Sequence, residues 1–171
     1  MNIRNSFLLL LALLSVTLLA TTRSSSAVVP QKGSQVFGEG QFRLPGQGVQ
    51  INFSFDAKAN ENGKAHGQAQ FTFTRLGSQT DVTIRVNCLH ASDPTAANIG
   101  GVVQQSNDPN YPKHSAVFFV VIDKDNFPLP GSSPDQITPL ADLSPDPKDV
   151  RCDLVPLTLL NLESGEIVIE P

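Results

Sequence analysis

Apolar and polar residues alternate along two neighbouring segments of the chain, 49–59 and 65–73. Successive side chains of a β-strand point to opposite faces, so this alternation predicts strands with one buried and one exposed face. In both segments the apolar residues and the small residues that accompany them occupy the odd positions. These positions hold Val49, Ile51, Phe53, Phe55, Ala57 and Ala59 in the first segment, and Ala65, Gly67, Ala69, Phe71 and Phe73 in the second.

The residues that link these two segments determine how the strands pair. A two-residue turn at Asn62-Gly63 would place apolar residues of one strand opposite polar residues of the other, and would bury the wrong faces. A three-residue loop, 61–63, pairs apolar with apolar and places Gly63 in the left-handed conformation that such loops use. The sequence therefore predicts a hairpin with a three-residue loop, in which Phe53 lies opposite Phe71.

Further strands are predicted along the rest of the chain, without an amphipathic helix between them. One of them, 116–122, is apolar at every position and is expected to be central and covered on both faces. Gly38 and Gly40 indicate a bend or a bulge in the first strand. The pattern predicts an all-β fold, an antiparallel barrel of about eight short strands, with a β-sandwich as the alternative. The other predicted strands are Val36–Leu44, Val82–Cys88, Ala97–Gln105, Val155–Leu160 and Glu166–Glu170.

The segment 1–27 is predicted to be a signal peptide rather than part of the fold. Arg4 supplies a positive charge before an apolar run, 7–20, that is short for a membrane-spanning helix. Small residues at Ser25 and Ala27 fit the cleavage site of signal peptidase. We therefore expect an exported protein, either periplasmic or extracellular, with a single all-β domain over 28–171 and no membrane span after cleavage.

The charge of the chain bears on its partners. The full sequence has 12 Lys and Arg against 16 Asp and Glu, a net charge of −4. Cleavage would remove two positive charges, Arg4 and Arg23, and make the domain more acidic still. Binding to nucleic acid requires a clustered basic face, whereas the basic residues here are scattered singly. We expect no nucleic-acid partner, and instead an extracellular or cell-surface partner or a small ligand.

The two cysteines, Cys88 and Cys152, are predicted to form one disulfide. Disulfides form and persist in the oxidising compartments that exported proteins reach. Closing this loop would stabilise the fold by about 4 kcal/mol in the chain-entropy model. A catalytic thiol at Cys88 is the alternative, since His90 lies two positions further on.

The segment 126–149 is rich in proline and is predicted to be a long loop, because proline cannot donate to a β-ladder. A loop of this length is usually a lid, a binding loop or a packed Ω-type loop, and a passive, stiff connection is the alternative. Leu140 and Leu143 could pack it against the barrel. The prolines are Pro128, Pro130, Pro134, Pro139, Pro145 and Pro147.

Candidate chemistry along the chain is sparse. The sequence has no Gly-x-Ser-x-Gly motif and no close His-x-His or Cys-x-x-Cys spacing, so no catalytic residue and no cofactor are predicted. One acidic segment resembles the start of a calcium-binding loop, but Pro128 stands where an EF-hand requires glycine. A calcium site of another kind stays an alternative to a solvated acidic turn. Its ligands would be Asp123, Asp125, Asn126 and Asp135.

Several short motifs occur in a particular order along the chain. They are Gly38-Glu39-Gly40-Gln41-Phe42, Phe53-Ser54-Phe55-Asp56-Ala57, Gly67-Gln68-Ala69-Gln70-Phe71, Cys88-Leu89, Ile99-Gly100-Gly101, Val120-Val121-Ile122-Asp123, Pro134-Asp135-Gln136-Ile137 and Gly165-Glu166-Ile167-Val168-Ile169. In this order they resemble a group of short, uncharacterised, exported bacterial all-β proteins with no established activity. The resemblance implies export and an all-β domain, and it implies no catalytic residue.

These observations together predict a secreted, non-catalytic all-β module that binds a ligand or a surface. One alternative is a carrier that holds a small apolar ligand inside a barrel lined by phenylalanine. A solid core is the competing interpretation, because Ala57, Gly67 and Ala69 lie opposite or beside large residues. A second alternative is a hydrolase-like enzyme. The phenylalanines expected inside are Phe42, Phe53, Phe55, Phe71, Phe73 and Phe118.

Overall fold

The structure, a computed structural model, describes residues 33–60, 64–125, 133–155 and 158–170. In these residues the chain forms ten β-strands and one short 3-10 helix, Pro147–Asp149. No helix among them is long and apolar enough to cross a membrane. The strands are β1 (Gln35–Leu44), β2 (Val49–Ala59), β3 (Ala65–Arg75), β4 (Ser78–Asp93), β5 (Ala96–Ser106), β6 (Ala116–Ile122), β7 (Gln136–Ile137), β8 (Ala141–Ser144), β9 (Leu160–Asn161) and β10 (Ser164–Glu170).

The strands form one antiparallel sheet that curls into a half-barrel, and this confirms the predicted all-β class. The order in the sheet is β10-β1-β2-β3-β4-β5-β6-β7-β9, and β8 pairs with a second stretch of β6. Strands β1 to β6 pair in the order in which they occur in the chain. Such a meander needs only short connections between neighbouring strands.

The β2–β3 hairpin has the predicted register. Phe53 pairs with Phe71, and every apolar position of β2 faces an odd-numbered position of β3. The backbone N–H of Asn60 donates to the carbonyl of Lys64 at 3.0 Å, which closes the hairpin around a three-residue loop. Gly63, for which a left-handed conformation is predicted, lies outside the described residues.

Aromatic rings pack against one another inside the curled sheet. The ring of Phe53 lies 6.0 Å, centroid to centroid, from those of Phe42 and Phe55. Phe119 of β6 packs against this group from across the half-barrel, with its ring centroid 5.4 Å from that of Phe55 and 5.1 Å from that of Phe71. Phe53 and Phe55 are stacked, Phe42 is tilted against Phe53, and Phe119 meets its two partners edge-on. Offset-stacked and edge-on arrangements are those that aromatic pairs prefer. The solid-core interpretation of the phenylalanines therefore agrees with their packing.

The prediction that Phe118 belongs to this interior set is wrong. Phe118 lies outside the main core cluster, and the adjacent Phe119 occupies the interior instead. Strand β6 is buried along almost its whole length on both faces, as predicted. Because both of its faces are apolar, alternation alone does not indicate which face points inward.

Of the bend or bulge predicted at the glycines of β1, the bulge is wrong. The register of β1 is continuous with β2 on one side and with β10 on the other. A Cβ atom on Gly38 would lie 3.0 Å from Cζ of Phe55, and one on Gly40 would lie 3.3 Å from Cε1 of Phe53. The glycines therefore leave room for large rings on the neighbouring strand.

A segment of irregular chain, 150–154, covers the outer face of β5. The side-chain amide of Asn98 donates to the carbonyls of Cys152 (3.0 Å) and Leu154 (2.9 Å). The predicted disulfide between Cys88 and Cys152 is present, with Cα atoms 6.0 Å apart. It ties this segment to β4 and leaves no free cysteine for a catalytic thiol among the described residues.

The proline-rich segment is only partly irregular. Within its described part, 133–149, β7 and β8 pair with β6. Both short strands lie between prolines and consist of residues whose N–H groups are free to donate, which explains why pairing is possible there. Leu140 is buried and Leu143 is half-buried, so both help to pack the segment.

The predicted strand Val155–Leu160 is wrong except at its last residue. Of its described residues, only Leu160 lies in a strand, β9. Val155 is 83% exposed, so its apolar side chain does not mark a buried face. A short apolar run that contains proline is a weak indication of a strand, because proline removes a donor from the ladder.

The two ends of the sheet belong to one stretch of chain. Strand β9 pairs with β7, and β10, two residues further on, pairs with β1 at the opposite end. Two buried carboxylates, one just after β6 and one just before β7, connect that end of the sheet to β10. Asp135 accepts from the backbone N–H of Ile167 at 2.8 Å, and Asp123 accepts from that of Ile169 at 3.2 Å. Side-chain hydrogen bonds thus replace a backbone ladder at this point.

Candidate functional site

A cavity of about 550 Å3 lies at the end of the half-barrel where the β1–β2 turn, the β3–β4 turn and the β5–β6 loop meet. Its volume falls within the range of about 300–1,000 Å3 that is typical of small-ligand sites. We call it the Tyr111 cavity. It is lined by Leu44, Gln47, Val49, Phe73, Arg75, Leu76, Ser78, Thr80, Asp108, Asn110 and Tyr111.

Two aromatic residues form a stacked pair within the apolar lining of this cavity. The rings of Phe73 and Tyr111 stack with centroids 5.5 Å apart and an angle of 18° between their planes. The phenol of Tyr111 donates to the carbonyl of Leu140 at 2.8 Å, which fixes the ring against the packed proline-rich segment. Burial of the phenol, together with the negative charges of Asp108 and Asp142, raises the pKa of Tyr111 to about 12. Tyr111 is therefore neutral and a hydrogen-bond donor at physiological pH.

The β5–β6 loop that carries Tyr111 is held in place by hydrogen bonds to the start of β4. The hydroxyl of Thr80 donates to Asp108 at 3.1 Å, and the backbone N–H of Asn107 donates to the carbonyl of Asp81 at 3.2 Å. The N–H of Tyr111 donates to the carbonyl of Asp108 at 3.1 Å. The cavity is therefore preformed rather than dependent on closure of a free loop.

The β3–β4 turn places an apolar residue in an unusual position. Leu76 and Gly77 have φ angles of +50° and +81°, as both central residues of a type I′ turn require. Asparagine or glycine is usual at such positions, because the left-handed conformation costs other residues about 1–2 kcal/mol. Leu76 is also 97% exposed. Backbone strain of this kind is often found at functional sites, and Leu76 lies at the rim of the cavity.

The β5–β6 loop contains a residue with a positive φ angle, and the residue after it has a buried polar group without a hydrogen-bond partner among the described residues. His114 has a φ of +76°. The next residue, Ser115, is 1% exposed, and its hydroxyl has no hydrogen-bond partner among the described residues. Buried polar groups without partners are rare in native proteins. Both features lie on the loop that supplies Tyr111.

A larger groove, of about 800 Å3, lies on the exposed surface of β10, β1, β2 and β3. Its lining includes Glu39 and Glu166, which are direct partners across the β1–β10 pair. Like charges opposite each other in a sheet destabilise it slightly. Its apolar lining comes from Phe37, Phe55 and Val168, but no stacked aromatic pair is found among its described lining residues, so we regard the Tyr111 cavity as the stronger candidate.

The candidate calcium ligands are brought partly together, but they have other roles. The oxygens of Asp135 accept from the N–H groups of Lys124 and Ile167, and those of Asp123 accept from Asp125 and Ile169. Asp125 is exposed, and Asn126 lies outside the described residues. Across the described ranges no three His, Cys, Asp or Glu side chains form a group that could hold a metal ion. Calcium binding stays an untested prediction.

The three histidines lie on separate elements. His66 is exposed on β3 opposite Lys58, His90 is on β4 opposite Asn98, and His114 is exposed in the β5–β6 loop. An enzyme site needs several ionisable groups that converge on one concave surface. The geometry of these histidines gives no support to the hydrolase-like alternative.

The Tyr111 cavity was not predicted from the sequence. Two signals were present: Tyr111 is the only tyrosine of the chain, and Leu76-Gly77 separates two alternating segments as a two-residue hairpin turn does. Neither shows that the two turns meet, because they are separated by two long strands.

No family model, curated protein or solved structure matches this chain. The resemblance to the group of exported bacterial proteins therefore stays a prediction.

Proposed function

We propose that this protein is a secreted, non-catalytic binding module that takes a small ligand in the Tyr111 cavity. The observation that carries the proposal is the stacked pair Phe73 and Tyr111 in a concave site at the meeting point of three connections. Binding residues are commonly found on loops that a rigid sheet positions. A cavity with an apolar floor and a few polar groups at its rim is the usual form of a small-ligand site.

The packing of the interior favours this external site over the carrier alternative. The rings of Phe55, Phe71 and Phe119 contact one another within the half-barrel. A ligand held there would have to displace aromatic contacts worth about 0.5–1.5 kcal/mol each, in addition to their burial. A ligand in the Tyr111 cavity displaces only solvent.

An NMR titration of the isotope-labelled protein tests this proposal. The probes are 3-phenylpropanoate, 3-phenylpropanamide and 3-phenylpropylamine, which share a ring and differ in charge. We expect at least one of them to produce saturable shifts in the amides of 44–49, 73–80 and 108–111. Tyr111 fluorescence provides a second readout, because the chain has one tyrosine and no tryptophan.

Two variants locate the site. Ser78→Phe introduces a ring at an exposed residue that lines the cavity, and should abolish the shifts. Gln105→Phe introduces the same ring at an exposed position of β5 outside the cavity, and should leave binding unchanged. Absence of binding by all three probes, or shifts that map to another surface, would show the proposal to be wrong.

A further inference from the structure

The polar groups at the rim of the Tyr111 cavity differ in whether their donors and acceptors already have partners within the described part of the protein. Asp108 accepts hydrogen bonds from the hydroxyl of Thr80 at 3.1 Å, and from both the backbone N–H and the side-chain amide of Asn110 at 2.9 Å. Both of its oxygens are therefore engaged within the protein. Asp108 holds the loop in place and has little capacity left to bind a ligand.

Arg75 is in the opposite situation. It lines the cavity at the end of β3, beside Leu76, and its guanidinium has no ion-pair partner in the part of the chain that the structure describes. Two other arginines are paired: Arg43 lies 3.3 Å from Glu163, and Arg151 lies 2.9 Å from Asp153. Arg75 thus has a full set of donors facing solvent at the rim of an apolar site.

A guanidinium presents two parallel N–H groups that match the two oxygens of a carboxylate. An apolar body resting on the aromatic pair of Phe73 and Tyr111 would place a terminal acidic group within reach of the rim where Arg75 lies. We infer that the ligand of the cavity is an apolar ring or chain bearing a single carboxylate, and that Arg75 binds this carboxylate. This inference rests on the proposed function of the cavity.

The negative charges near Tyr111 provide the competing possibility. Asp108 and Asp142 both act on the phenol of Tyr111, so the field around its ring is negative. A cationic ligand stacked on aromatic rings would benefit from that field. The oxygens of Asp108 are already hydrogen-bonded, and Asp142 does not line the cavity, whereas the unpaired guanidinium of Arg75 does. These positions favour an anionic ligand.

Comparison of the three phenylpropyl probes tests this inference. We expect 3-phenylpropanoate to bind more tightly than 3-phenylpropanamide by about three- to tenfold at low ionic strength, as for a partly exposed charge-assisted hydrogen bond. The amine should bind most weakly of the three. Added salt should weaken binding of the carboxylate and leave that of the amide nearly unchanged, because mobile ions screen exposed charges.

A pair of variants assigns the effect to one residue. Arg75→Gln should reduce the affinity for the carboxylate to about that for the amide, and should reduce the carboxylate affinity by a larger factor than the amide affinity. Arg85→Gln is the matched control: it removes the same charge from an exposed arginine of β4 outside the cavity, and should alter neither affinity by more than about twofold.

The outcomes separate this inference from the proposed function. Equal binding of carboxylate and amide, tighter binding of the amine, or no effect of Arg75→Gln would overturn the inference while the binding site stands. Failure of all three probes to bind would overturn both.

Discussion

Replacement of Asp135 by asparagine is the most direct test of how the half-barrel is held together. Asp135 is 7% exposed, and its two oxygens accept from the backbone N–H groups of Lys124 and Ile167, each at 2.8 Å. Asparagine has nearly the same shape but only one acceptor oxygen. Its NH₂ group would face one of the two N–H donors.

The expected loss of stability follows from these two bonds. A buried donor left without an acceptor costs about 1–3 kcal/mol, and loss of the charge weakens the remaining bond by roughly a further 1 kcal/mol. The sum, about 2–4 kcal/mol, is a large part of the 5–15 kcal/mol by which typical domains are stable. For a domain of this size it corresponds to a decrease in Tm of roughly 4–16 °C.

Thermal unfolding followed by circular dichroism measures the global effect, and hydrogen exchange of the Ile167 amide measures the local one. Asp125→Asn is the control, because Asp125 is exposed and belongs to the same set of calcium candidates. We expect Asp125→Asn to alter stability by less than about 0.5 kcal/mol. If both variants destabilise the protein equally, or if Ile167 keeps its protection in Asp135→Asn, then Asp135 does not connect β10 to the rest of the sheet as described.

Three further predictions concern the interior and the Tyr111 cavity. Spectrophotometric titration should show the single tyrosine ionising near pH 12. Because the raised pKa of Tyr111 favours the protonated folded state, its contribution to stability is complete below about pH 10 and is lost as the pH rises through about 12. A midpoint near 10 in the folded protein would contradict the burial of Tyr111. Phe119→Ala should cost about 3–5 kcal/mol in urea denaturation and exceed Phe118→Ala, whereas the reverse order would place Phe118 inside. Leu76→Asn should stabilise the turn by about 0.5–1 kcal/mol in the same assay, and a loss of stability would show that Leu76 packs on the protein rather than straining it.

Much of the sheet could be predicted from the sequence because alternation reports directly on which face is buried. The register of β2 and β3 followed from matching apolar positions, and the disulfide followed from the expectation of export. These predictions needed only local patterns or a single pair of residues. The three that were wrong, at Phe118, Gly40 and Val155, depended on what packs against a strand from elsewhere in the chain.

The candidate site could not be predicted for the same reason. Tyr111 meets Phe73 only because the β5–β6 loop folds back against the start of β4, through hydrogen bonds such as that from Thr80 to Asp108. The role of Asp135 was equally hidden, because acidic residues near a turn usually face solvent. Its two partners, the N–H groups of Lys124 and Ile167, are backbone groups that no sequence pattern indicates.

The arrangement of β9 and β10 makes both ends of the sheet depend on the last part of the chain. One edge of β1 is covered only by β10, so it has no partner strand in a chain that lacks the segment 160–170. Exposed edges of this kind are where chains join one another by mistake. A chain truncated before that segment should therefore aggregate more readily than the full-length protein.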